Sequence, residues 1–144
     1  MLTASQVIFI VIGVVCVSNA ITKIIFWLDE PHHREEKHME YKFTTDNFET
    51  EVLQSELPVL VDFYADWCGP CRMMAPVIGK MAEEFEGRIK VGKCNVDDNM
   101  DIAEQYRITN IPAFKVFKNG SVAAEFIGAM SAADLKDKLE KVLA

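Results

Sequence analysis

The chain has 144 residues, half of them hydrophobic, and its 15 Lys and Arg against 22 Asp and Glu leave a formal net charge of −7. That length allows one small domain plus an appendage. The acidic balance excludes nucleic acid as a partner, because phosphates call for stripes of Lys and Arg.

No charged residue precedes Lys23, and Gln6–Leu28, QVIFIVIGVVCVSNAITKIIFWL, is long enough for one membrane-spanning helix of about 20 residues. Residues 1–28 are therefore expected to form an N-terminal transmembrane anchor. Lys23 lies near enough to its end to snorkel, and Trp27 suits the headgroup level. A cleaved signal peptide is the alternative, because Ser18-Asn19-Ala20 follows the apolar Val7–Val17 as a small-x-small cleavage site would. Against cleavage, the preceding MLTASQ carries no Lys or Arg, and the apolar run resumes at Ile21. Lys23 at the end of the segment and Arg34, Lys37 and Lys42 beyond it are the positive side chains, so the positive-inside rule turns the remainder of a single-pass protein toward the cytoplasm. Cleavage would instead make the protein secreted or extracytoplasmic.

Residues 29–40, DEPHHREEKHME, read as a charged, hydrated linker. His32, His33 and His38 lack the helical i, i+4 spacing of a zinc-binding pair and have no nearby Cys, so no metal is expected there. From Tyr41 to Ala144 the chain alternates between strand and helix patterns. Tyr41–Thr44 is a short strand candidate, followed by a helix capped by Thr45 or Asp46, with Phe48 and Val52 on its apolar face. Pro58–Ala65, PVLVDFYA, is nearly continuously apolar, as suits a central strand covered on both faces. A helix follows through Phe85, with Met74, Val77, Ile78, Met81 and Phe85 at helical spacing and Pro76 inside it as a kink. Arg88–Asp97 returns to strand, and Asp101–Tyr106 is a short helix. Pro112–Phe117 and Ser121–Gly128 flank Asn119-Gly120, a strong hairpin signal because both residues tolerate the positive φ of a type I′ turn. Ser131-Ala132-Ala133-Asp134 resembles a capping box, and Ala133, Leu135, Leu139 and Val142 supply the apolar positions of a last helix. The order β-α-β-α-β-α-β-β-α predicts an α/β domain: a mixed central sheet with helices on both faces.

Cys68 and Cys71 fall at the end of the central strand, where the next helix starts and where sites of open α/β sheets gather. Pro70 fits the first turn of that helix. Cys68 then faces unpaired N–H groups and the positive end of the dipole, which lowers a thiol pKa and favours the nucleophilic thiolate. Cys71, one turn in, is expected to be shielded, so the pair reads as attacking and resolving thiols. Zinc would need a second pair of ligands, and Cys16 and Cys94 do not form one. Cys94 reads as a small buried hydrophobe. On the central strand, Leu60, Asp62 and Tyr64 share one face and Val59, Val61 and Phe63 the other. Asp62 is thus expected in an apolar place with a raised pKa, near neutrality, or else as a hydrogen-bonded core residue.

The stretch Trp67-Cys68-Gly69-Pro70-Cys71 resembles the active site of the thioredoxin family. VDFYADWCGPCRMMAP at 61–76, KCNVDDN at 93–99, YRITNIPAFKVFKNG at 106–120 and Gly128 extend the resemblance over residues 41–144. The resemblance implies the thioredoxin fold and a redox disulfide between Cys68 and Cys71, with no bound cofactor. Cys68 would attack a substrate disulfide, Cys71 would resolve the mixed disulfide, and Asp62, beneath Cys71, would take its proton. Trp67, Gly69, Pro70, Ile111, Pro112 and Gly128 would contact substrate, with a cis Ile111–Pro112 bond facing the cysteines. From residues alone, Pro112 reads as an ordinary strand-start proline. Tyr64, Thr109-Asn110 and Ala113 depart from the usual family pattern around the substrate groove.

The reading that results is a membrane-tethered protein-disulfide reductase. Its partners would be disulfide-containing proteins and an electron donor, either a thioredoxin-reductase-like flavoprotein or a membrane carrier. The alternatives are an extracytoplasmic thiol oxidase or isomerase and, from another class, a binding module on the same scaffold.

Overall fold

The computed structural model describes residues 40–144. The anchor expected over Gln6–Leu28 and the linker with its three histidines, up to residue 39, lie outside them. Among the described residues no helix is long and apolar enough to cross a membrane.

Nine elements of the described residues run in the order β1 (Glu40–Lys42), α1 (Glu49–Leu53), β2 (Val59–Tyr64), α2 (Gly69–Glu84), β3 (Lys90–Asn95), α3 (Met100–Gln105), β4 (Ala113–Lys118), β5 (Ser121–Ile127) and α4 (Ala132–Leu143). They build one five-stranded sheet in the order β1-β3-β2-β4-β5. β3 pairs parallel with β1 and β2, whereas β4 pairs antiparallel with β2 and β5. The hairpin turns at Asn119 and Gly120, whose φ of 52° and 75° supply the two left-handed residues that a type I′ turn requires.

β2 lies in the middle of the sheet and is buried along nearly its whole length, as its unbroken apolar run anticipates. Its alternate residues feed two cores. Leu60 packs with Met74, Ile78 and Met81 of α2 and with Leu135 and Leu139 of α4. Val59, Val61 and Phe63 pack on the opposite face with Val52 of α1 and Ile102 of α3. The mixed sheet with helices on both faces is thus present. Gly92 allows β1 to come close: a Cβ there would meet Tyr41 O at 2.4 Å and the Phe43 ring at 2.6 Å.

Three local expectations need correction. Thr45 does not cap α1; its backbone N–H donates to Asn99 Oδ1 at 2.8 Å and its hydroxyl to Asp101 Oδ1 at 2.8 Å. Nor does Asp46: α1 starts after Phe48 with no side-chain cap, and its last turn is wide, Gln54 N–H bonding back to Glu49 O at 2.9 Å. At α4, Ser131 Oγ does accept from Asp134 N–H at 3.1 Å, but the Asp134 carboxylate accepts a hydrogen bond from the Ser131 hydroxyl at 2.7 Å. Asp is one methylene shorter than the Glu of a full capping box, and here it bonds the hydroxyl instead of reaching the backbone N–H. Ala133 points outward, and Ala132 packs on the core in its place.

Candidate active site

Cys68 is the N-cap of α2, in extended conformation, and Gly69 and Pro70 open the helix. The proline sits where a missing N–H costs no intrahelical bond. Cys68 and Cys71 form a disulfide with Cα atoms 5.3 Å apart, and Cys71 N–H donates to Cys68 Sγ at 3.2 Å. Cys68 sulfur thus occupies the capping acceptor position at the positive end of a 16-residue helix. Cys71 is shielded as expected, but so is Cys68, and exposure does not separate the two cysteines. Each is 4% exposed in the disulfide, packed with Ala65 against Tyr64, Val96 and Ile111. Their asymmetry lies in position on the helix.

The Ile111–Pro112 bond is cis, which overrides the plain strand-start reading of Pro112. Pro112 is buried, and its carbonyl accepts the Gly128 N–H at 2.8 Å. Gly128 has a φ of 89°, in the left-handed region that disfavours a side chain, with open space where a Cβ would stand. Ile111, Pro112 and Gly128 are therefore one continuous wall beside the disulfide. Gly69 is half-buried and Pro70 exposed. Trp67 is 69% exposed, and its indole N–H donates to Asp97 Oδ2 at 2.8 Å.

Asp62 lies below the pair. It is 4% exposed and its Oδ1 has no hydrogen-bond partner, so the hydrogen-bonded core reading does not hold for that oxygen. Burial pushes its pKa from 3.8 up to about 7; the Glu40 carboxylate adds to the rise and the Lys93 ammonium opposes it. The surroundings are not uniformly apolar, as strand periodicity suggested. Asp62 and Cys71 line a common cavity of about 160 Å³ whose walls include Glu40, Tyr64, Arg72 and Lys93. Lys93 stands opposite Asp62 in the β2–β3 register, and its ammonium pairs with Glu40 at 3.4 Å.

Glu40, Lys93 and Asp97 are site residues that sequence reading did not pick out. KCNVDDN was matched to the family as a block, but nothing local marks Lys93 as the neighbour of Asp62. Cys94 is fully buried on the other face, where burial pushes its thiol up to about 12. It is a core residue and stays protonated. Among the described residues, no three His, Cys, Asp or Glu side chains gather closely enough to hold a metal ion.

A capping disulfide at the mouth of a mixed α/β sheet, a buried carboxyl beneath it and a cis-proline wall beside it define a thiol–disulfide oxidoreductase. Residues 40–141 match the family described as Thioredoxin. Thioredoxin 1 of Nostoc sp. is 49% identical over 100 residues, which cover 69% of this chain and 94% of that protein. Thioredoxin of Synechocystis sp. is 48% identical over 97 residues, 67% of this chain and 91% of its own. Thioredoxin of Porphyra purpurea is 48% identical over 100 residues, 69% and 94% respectively. The chain belongs to the thioredoxin family, and its reaction is protein-disulfide reduction by dithiol–disulfide exchange.

Proposed function

We propose that this protein is a membrane-tethered disulfide reductase in which Cys68 attacks and Cys71 resolves. In the reduced protein the Cys68 thiolate attacks one sulfur of a substrate disulfide. A Cys68–substrate disulfide forms and the other substrate sulfur leaves as a thiolate, which takes a proton. Asp62 accepts the Cys71 proton through the shared cavity. The Cys71 thiolate then attacks Cys68 Sγ, forming the Cys68–Cys71 disulfide and expelling the second substrate sulfur as a thiolate. That thiolate takes a proton from water, while Asp62 gives the Cys71 proton back to solvent. The substrate has gained two electrons, and by way of solvent two protons. A thioredoxin-reductase-like flavoprotein or a membrane electron carrier restores the dithiol.

The observation that carries the order of attack is the Cys71 N–H bond to Cys68 Sγ at 3.2 Å, at a helix N-terminus. Such a position favours a thiolate at Cys68. Trp67, Gly69, Pro70, Ile111, Pro112 and Gly128 contact the substrate polypeptide in this reading. With Cys71→Ser, a mixed disulfide through Cys68 accumulates because nothing resolves it, and Cys68→Ser abolishes reduction. Mass spectrometry of trapped adducts checks both; adducts that accumulate with Cys68→Ser reverse the assignment.

Tethering rests on the apolar Gln6–Leu28, whose one charge is Lys23 near its end, and a cytoplasmic domain on Lys23 and the Lys and Arg beyond the segment. The full-length chain then stays with membranes after carbonate extraction. An N-terminus at Ile21 in the mature protein would establish cleavage instead, with the domain secreted or outside the membrane.

A further inference from the structure

We propose that Asn95 is a positioning residue that holds Trp67 for substrate; the link from Trp67 to substrate rests on the reading above. Asn95 ends β3 and is 5% exposed, one of four buried polar or charged residues among those described. Each end of its amide serves the active-site loop. Oδ1 accepts the Asp97 N–H at 3.0 Å, and Nδ2 donates to Asp66 Oδ2 at 3.4 Å. Asp97 in turn holds the Trp67 indole, and Asp66 is the residue before Trp67 in the chain. One buried amide thus ties down the side chain of the residue before Trp67 and, through Asp97, the Trp67 indole itself.

The brace has its own support. Asn95 O accepts from Asn99 N at 3.1 Å and from Asn99 Nδ2 at 2.9 Å, while Asn99 Oδ1 accepts the Thr45 N–H. Both buried asparagines are therefore bonded on each side of their amides, as burial demands. Trp67 itself is 69% exposed. Packing covers little of the ring, so the Asp97 bond is its main restraint. An ordered aromatic meets a partner at a lower entropic cost than a mobile one. Loss of the brace should weaken substrate binding and leave the sulfur chemistry alone, because Asn95 has no bond to either cysteine.

The test uses the full-length chain with Trp27→Phe, so that Trp67 is the only tryptophan. Time-resolved fluorescence anisotropy then reads the mobility of the indole directly. Asn95→Ala is expected to give a fast depolarising component absent from the parent. KM for a protein disulfide is expected to rise about three- to tenfold, roughly what one or two hydrogen bonds carry, with kcat unchanged. The rate at which the reduced protein attacks 5,5′-dithiobis(2-nitrobenzoate), too small to need Trp67, stays as in the parent. Asn95→Asp retains the acceptor for Asp97 N–H and sets a carboxylate against Asp66, so it keeps the variant series readable if the alanine protein does not fold. Its anisotropy is expected to approach the parent's below the carboxyl pKa and the alanine variant's above pH 7. Unchanged anisotropy in both variants, or an equal loss of rate on the small reagent, overturns the proposal. Trp67→Ala separates the two levels: an unchanged KM there sinks substrate contact by Trp67, while the anisotropy still decides whether Asn95 holds the ring.

Discussion

Asp62→Asn gives the most quantitative check on the site. A carboxyl displaced from 3.8 to about 7 by burial ionises in the folded state at a cost of about 4 kcal/mol, since each pH unit is worth about 1.4 kcal/mol. Between those two pKa values the folded state holds a proton that the unfolded state has lost. The Asp62 contribution to stability therefore falls as pH rises from about 4 to 7, and stays at its lowest above that. Asn is neutral throughout, so the variant lacks this loss. Asn also carries an NH₂ that must find a partner or cost about 1–3 kcal/mol, an offset that does not change with pH. The net gain is expected to be roughly 1–4 kcal/mol at pH 8, depending on that offset, and to vanish or reverse near pH 4. The pH-dependent difference between the proteins, about 4 kcal/mol across that interval, does not depend on the offset. The described residues 40–144 form a compact unit of their own, so urea unfolding of that fragment in the oxidised state, followed by circular dichroism at pH 4 to 8, measures the difference. Parallel curves for the two proteins would falsify the raised pKa, and with it the desolvation argument. Turnover belongs to the same experiment: if Asp62 takes the Cys71 proton, Asp62→Asn slows protein-disulfide reduction, and unchanged turnover removes that role.

Lys93→Met is expected to raise the Asp62 pKa further and Glu40→Gln to lower it, because the ammonium favours the carboxylate and the neighbouring acid opposes it. Carboxyl carbon shifts in an NMR titration read both, and equal pKa values in the three proteins would show that these charges do not reach Asp62. Gly92→Ala forces a methyl against Tyr41 O and the Phe43 ring. The expected loss is about 2–3 kcal/mol in urea unfolding, or more if β1 detaches, and a neutral outcome would mean the strand can shift at little cost.

Much of the fold was legible because its causes are local. The apolar run 58–65, the Asn119-Gly120 turn and the Ser131 cap each act over a few residues, so their residue types announce them. The disulfide pair was legible for a related reason: strand end, Pro70 and helix start lie within one short stretch. Period-two alternation alone put Asp62 on the face with Leu60, where it is found. Ala133 and Thr45 were misread because helix rotation and loop bonding are set by what packs against them. Resemblance to a family, and not spacing, supplied the cis-proline wall.

What surrounds those residues is set by long-range packing. Lys93 faces Asp62 because β2 and β3 pair in parallel in one particular register, and a one-residue slip would turn it to the other face. Glu40 reaches the same cavity because β1 joins the far side of β3. Asp97 meets Trp67, and Asn95 meets Asp66, across a separation of about 30 residues. Residue order alone specifies which groups the protein has and which short segments carry them: a sulfur pair at a helix start and a carboxyl on a buried strand. Their pKa values, partners and orientation follow from strand order and register. Those are properties of the whole packed sheet, because the hydrogen bonds and burial that select one register are contributed by every strand at once.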